Sequence, residues 1–161
     1  PGTTAMSADA GRWRSASLLS LAGGAAFWVA NFAISLTPIA ADYRAGLDIS
    51  YLPMLVQALV GGLILGFGVS YCLLRYYERI PARSPLRKSL LLGVIALVAV
   101  TVLVEVPAKY FTETADATRY FLIGVLFNAV RILALAVVIG YLFPRVTARP
   151  GRPRPEVTLE R

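Results

Sequence analysis

One charge in an apolar run constrains this chain more than any other feature. The stretch 120–142, YFLIGVLFNAVRILALAVVIGYL, is apolar almost throughout, with Arg131 near its middle and Asn128 one turn earlier. A helix needs roughly 20 such residues to cross a bilayer. A guanidinium at that depth costs about 2.5–3.5 kcal/mol on insertion scales. The rest of the chain has to accommodate that charge.

Three further apolar runs, 18–37, 51–74 and 89–106, accompany it. Charged residues make up only 16% of the chain, against about 25% in soluble domains, and they are segregated between the runs. The expected fold is therefore all-α: an integral membrane bundle of four transmembrane helices occupying 18–143. Residues 1–17 are small and polar and are expected to be disordered. Residues 144–161 form a basic, proline-rich tail. The chain opens on Pro, so its first residues read as a processing remnant with Met6 as candidate initiator. The run 18–37 is longer than a signal-peptide core and more spans follow, which favours an uncleaved helix.

Counting basic residues orients the bundle. Arg12, Arg14, Arg75, Arg79, Arg83, Arg87, Lys88, Arg145, Arg149, Arg152, Arg154 and Arg161 fall on one side. Arg44, Lys109 and Arg119 fall on the other. Twelve against three predicts both termini in the cytoplasm, with the inner membrane of a bacterium as the expected location. Tyrosines agree: Tyr43, Tyr51, Tyr110 and Tyr120 fall at the outer ends of the spans, and Tyr71, Tyr76, Tyr77 and Tyr141 at the inner ends.

The composition narrows the chemistry. The net charge of +7 does not imply nucleic acid, because the basic residues cluster beside apolar runs. Anionic lipid at the cytoplasmic face is the expected partner for them. There is no histidine and one cysteine, Cys72, so disulfides within the chain are excluded and no metal or cofactor is expected. No catalytic motif or paired acids at a plausible active site occur, so no enzymatic activity is expected. Cys72 reads as an inert buried thiol.

Two groups of residues stand out. Ala58, Gly62, Gly66 and Ser70 recur every four residues along the second span and include a GxxxG, the pattern that allows close helix approach. This stripe is read as a helix-packing interface, either tight packing inside the one bundle or, at Gly62 and Gly66, a docking seam for a partner protein or a second copy, the docking seam being preferred. Gly61 and Gly68 are read as facing inward. On the first span, Ser20, Gly24, Phe27, Asn31 and Ser35 share a stripe and should face other helices. The second group is Asn31, Gln57, Glu105, Asn128 and Arg131, one or more polar residues per span, all from the midplane outward. Arg131 and Glu105 are the natural ion pair, with Arg131 snorkelling outward. Pro107 either ends the third span or kinks a helix that continues to Tyr110.

Function is expected to be that of a small accessory subunit, docking on a larger membrane complex or on itself. The alternative is a small oligomeric transporter or channel whose outward-facing site lies around Arg131, where the guanidinium receives a carboxylate, a phosphate or a lipid headgroup.

Overall fold

The computed structural model describes residues 3–111 and 116–148. Every regular element among them is helical: α1 (Thr3–Ser35), α2 (Pro38–Gly46), α3 (Tyr51–Tyr76), a 3-10 turn (Tyr77–Arg79), α4 (Pro85–Val100), a π segment (Thr101–Glu105), α5 (Val106–Tyr110) and α6 (Ala117–Thr147). Four stretches are long and apolar enough to cross a membrane: Ala10–Ser35, Tyr51–Arg79, Pro85–Tyr110 and Ala117–Thr147. The chain has the architecture of a multi-pass membrane protein, a helix bundle with apolar side chains such as Val94, Ile95, Val98 and Val137 exposed on its outside.

Several boundaries differ from the sequence expectation. Residues 3–17 are helical and not disordered, since nothing between Thr3 and Ser35 interrupts the helix. Trp13 uses that extension to stack on Phe67, with ring centroids 5.9 Å apart. The expected loop 41–50 is largely α2. Thr37 caps that helix by accepting the Ala40 N–H at 3.3 Å, and Pro38 occupies its first turn, where a missing N–H costs nothing. The same device starts α4 at Pro85, four residues earlier than expected: the Ser84 hydroxyl accepts the Arg87 N–H at 3.3 Å. Finally, α6 runs through Pro144 to Thr147, so the expected tail begins inside a helix. Residues 149–161 and Glu113 lie outside the described residues.

The third span does not stop at Pro107. Proline has no N–H to donate, and the helix accommodates it with a wider turn just before. The Val106 N–H reaches Thr101 O, five residues back. Continuing as α5 carries Glu105 and Lys109 to the same end of the bundle as α2.

That end, with α2, α5 and the start of α6, is called the α2 end; the opposite end, with the Tyr77–Arg79 turn, the start of α1 and the end of α6, is the termini end. Toward the termini end the helices touch closely. α1 packs along α3 and α6, and α4 packs on α6. A Cβ on Gly66 would lie 2.9 Å from Ser20 O, one on Gly24 2.8 Å from the Leu63 side chain, and one on Gly140 2.7 Å from Leu86 Cα. Ser20 Oγ donates to Leu63 O at 2.8 Å, and Ser89 Oγ donates to Ala136 O at 2.7 Å. Leu19, Leu73, Leu135 and Ile139 are fully buried between these seams. Tyr77 and Phe143 stack at 5.0 Å, and buried Lys88 lies over the Tyr77 ring while donating to Tyr77 O.

Thus the Ala58, Gly62, Gly66 and Ser70 stripe is buried within the chain. Gly62 faces Phe27 and Gly66 faces the backbone of Ser20 and Gly24, all on α1. This corrects the docking-seam expectation for Gly62 and Gly66. The matching α1 stripe, Ser20, Gly24, Phe27, Asn31 and Ser35, is buried throughout, as its spacing predicts. Gly68, expected to face inward, is exposed with nothing within 4 Å of a Cβ built on it.

Candidate functional site: a charged cavity at the α2 end

Near the α2 end the bundle opens. α3 packs on α4 but has at most marginal contact with the π segment and α5. The divergence leaves a cavity of about 380 Å³. Polar residues Asn31, Tyr43, Arg44, Gln57, Glu105, Asn128 and Arg131 line it together with an apolar wall that includes Phe27, Ile34, Ile64, Leu65, Val100 and Val104. All five polar residues singled out from the sequence therefore border one space.

Helix geometry aims Arg131 into that space. Side chains lean toward the N-terminus of their helix, and the N-terminus of α6 lies at the α2 end. Arg131 Nε donates to Phe127 O, one turn back, at 3.0 Å. Its Nη1 then reaches Asn31 Oδ1 on α1 at 2.8 Å. Asn31 is four residues from the end of α1, or about 6 Å along the axis at 1.5 Å per residue. The guanidinium thus sits about one turn below the bundle's rim, although its Cα is near the middle of α6. The ring of Phe27 lies 5.6 Å from its carbon and adds a cation–π contact.

Glu105 is engaged elsewhere, which corrects the expected Arg131–Glu105 pair. Its Oε1 accepts from Asn128 Nδ2 at 2.7 Å, and its Oε2 lies 3.9 Å from Lys109 Nζ. Glu105 and Lys109 are both buried. Gly124 makes room for the carboxylate: a Cβ there would collide with Glu105 Oε2. Lys109 lies one turn along the same face of the helix as Glu105, in the usual i,i+4 position, just beyond the wide turn at Thr101–Glu105.

α2 roofs the site. Tyr43 packs edge-on against Tyr120 and Phe127, at 5.9 and 5.6 Å, and Lys109 Nζ lies 5.2 Å from its ring centre. Burial, and then the Glu105 carboxylate, push the Tyr43 phenol well above its ordinary pKa, with Arg131 pulling weakly the other way. Tyr43 is thus a neutral hydroxyl at physiological pH. Arg44 donates to Ser35 O at 3.1 Å and lies over the Tyr51 ring at 5.1 Å.

The charges around the cavity do not balance. Lys109 matches Glu105, while Arg131 has two neutral acceptors and no carboxylate within ion-pair distance among the described residues. Arg44 adds a further cation on the wall. Asn31 Nδ2 is a buried donor with no partner, although Asn31 is only 3% exposed. Gln57 is exposed and borders the cavity at its rim. Tyr43, Arg44 and Lys109 were missed as site residues. For Lys109 the signal was present as an i,i+4 spacing from Glu105. For Tyr43 and Arg44 it was the Thr37–Pro38 helix start. Among the described residues no three His, Cys, Asp or Glu side chains gather as a metal site.

Comparison with protein-family models, with curated protein sequences and with solved structures found no match.

Proposed function

We propose that this chain is a non-enzymatic, multi-pass membrane protein that holds a small anionic ligand on Arg131. The observation that carries this reading is the cation left over: among the described residues, Arg131 borders a cavity with neutral hydrogen-bond partners, while the acid lining that cavity, Glu105, is engaged by Lys109 and Asn128. A guanidinium below the membrane surface is costly unless its charge is answered, and its planar fork suits a carboxylate or phosphate. The basic-residue bias supports an orientation with both termini in the cytoplasm of a bacterial cell, the cavity then facing outward. Close packing at the termini end, where Leu19, Leu73, Leu135 and Ile139 are fully buried, supports holding over conduction. The accessory-subunit reading loses the glycine stripe as its docking seam, because α1 occupies it.

The test is co-purification. Wild type and Arg131→Gln are extracted in the same mild detergent, and the bound small molecules are released and identified by negative-ion mass spectrometry. An anion retained by wild type and lost from Arg131→Gln is the expected result. Equal small-molecule content in both proteins contradicts the reading.

A further inference from the structure

The cavity has a side opening as well as a charged floor. Ile64 on α3 is 66% exposed and Val104 in the π segment is 52% exposed, yet both line the cavity. They are the two lips of a gap between α3 and the π segment, on a surface that is otherwise apolar and suited to acyl chains. Inside the gap, Leu65, Val100 and Gly61 continue the apolar wall, and Gly61 has nothing within 4 Å of a Cβ built on it. A ligand that is only an anion leaves this wall unused. A volume near 380 Å³ lies at the small end of the roughly 300–1,000 Å³ range for small-ligand sites, room for one hydrocarbon chain and not for two.

We infer that the ligand is a single-chain amphiphile drawn from the membrane: its carboxylate or phosphate head on Arg131 beside Asn31, its chain passing between Ile64 and Val104. This rests on the reading of Arg131 as the partner of an anion. Charge complementarity selects the head, since among the described residues lining the cavity Arg131 and Arg44 stand against a single acid, Glu105, which Lys109 and Asn128 engage. The lateral gap selects the source, because a chain already in the bilayer reaches it without crossing water.

The experiment uses dansyl-aminoundecanoic acid, a fluorescent long-chain carboxylate, with the full-length protein in phosphatidylcholine nanodiscs and empty nanodiscs as the blank. Wild type is expected to bind the probe and to release it to dodecanoate, but not to equal concentrations of butyrate or inorganic phosphate. Arg131→Gln should weaken binding at least tenfold. Gly61→Leu fills the chain site and Val104→Trp closes its mouth, and each should also weaken binding at least tenfold. Open space at Gly61 and the exposure of Val104 leave folding intact in both, checked by unchanged melting. Wild-type binding in both Gly61→Leu and Val104→Trp, with loss in Arg131→Gln and displacement by butyrate, overturns the amphiphile and leaves the anion reading standing. Undiminished binding in Arg131→Gln overturns both.

Discussion

The two ends of this bundle solve the same problem in opposite ways. At the termini end, small residues let backbones touch: Gly66 meets Ser20, Gly24 meets Leu63 and Gly140 meets Leu86. Lipid offers helices no hydrophobic reason to associate, so close packing and hydrogen bonds such as Ser20 to Leu63 must hold that end. At the α2 end, long polar side chains stand between the helices, and the π segment and α5 that continue α4 have at most marginal contact with α3. Close contact is lost there, and a charged cavity takes its place. One end is filled and the other is lined. The difference teaches that glycine in a membrane helix has no fixed meaning: Gly66 is a contact, whereas Gly61, five residues earlier on the same helix, borders open space.

That contrast predicts its own largest effect. Gly66→Leu and Gly140→Leu would push side chains into facing backbone, and each should lower stability by about 3 kcal/mol or more. Gly61→Leu and Gly68→Leu meet nothing and should stay within about 0.5 kcal/mol of wild type. Thermal or denaturant unfolding in detergent measures all four. Equal losses at Gly61 and Gly66 would break the comparison between the ends.

The next effect sharpens the charged end. A double-mutant cycle between Glu105 and Lys109 should give a coupling of about 2 kcal/mol, and one between Glu105 and Arg131 less than about 0.5 kcal/mol. Glu105→Leu together with Lys109→Leu should be better tolerated than either change alone, because both buried charges leave together. The reverse order of couplings would restore the Arg131–Glu105 pair. A smaller loss is expected at the seam hydrogen bonds: Ser20→Ala and Ser89→Ala should each cost about 0.6 kcal/mol in the same unfolding measurements. A loss several times larger would mean that hydrogen bonds, and not close contact, hold the filled end.

Legibility in the sequence divides along the same line. Hydropathy and proline placement located four spans, because both depend on composition along one helix. Depth was legible too: counting residues put Asn31, Gln57, Glu105, Asn128 and Arg131 from the midplane outward, and the five border one cavity. Rotation about each helix axis was not legible. One extra residue in a turn rotates all downstream side chains by about 100°, and nothing in TVLVEVP fixes where Pro107 will be absorbed. Glu105 therefore had the right depth and the wrong partner. The glycine stripe failed similarly: its spacing announces close approach but does not say to which helix. The α2 roof was legible in principle, since Thr37–Pro38 is as good a helix start as Ser84–Pro85. The hydropathy of 18–37 and 51–74 bounds the first two spans and says nothing of a helix between them.

The central claim is that the α2 end holds an accessible, cationic cavity and the termini end is filled. Single-cysteine labelling tests it most directly. In a Cys72→Ala background, Gly61→Cys places a thiol on the cavity wall, and Leu73→Cys places one where the native side chain has 0% exposure. Both are exposed to an anionic, water-soluble methanethiosulfonate in nanodiscs, which leave both faces of the membrane open. Gly61→Cys should react and be slowed by Arg131→Gln, which removes the charge that draws the reagent in, while Leu73→Cys should stay unmodified. Comparable labelling at the two positions, or an unreactive Gly61→Cys, would contradict the claim.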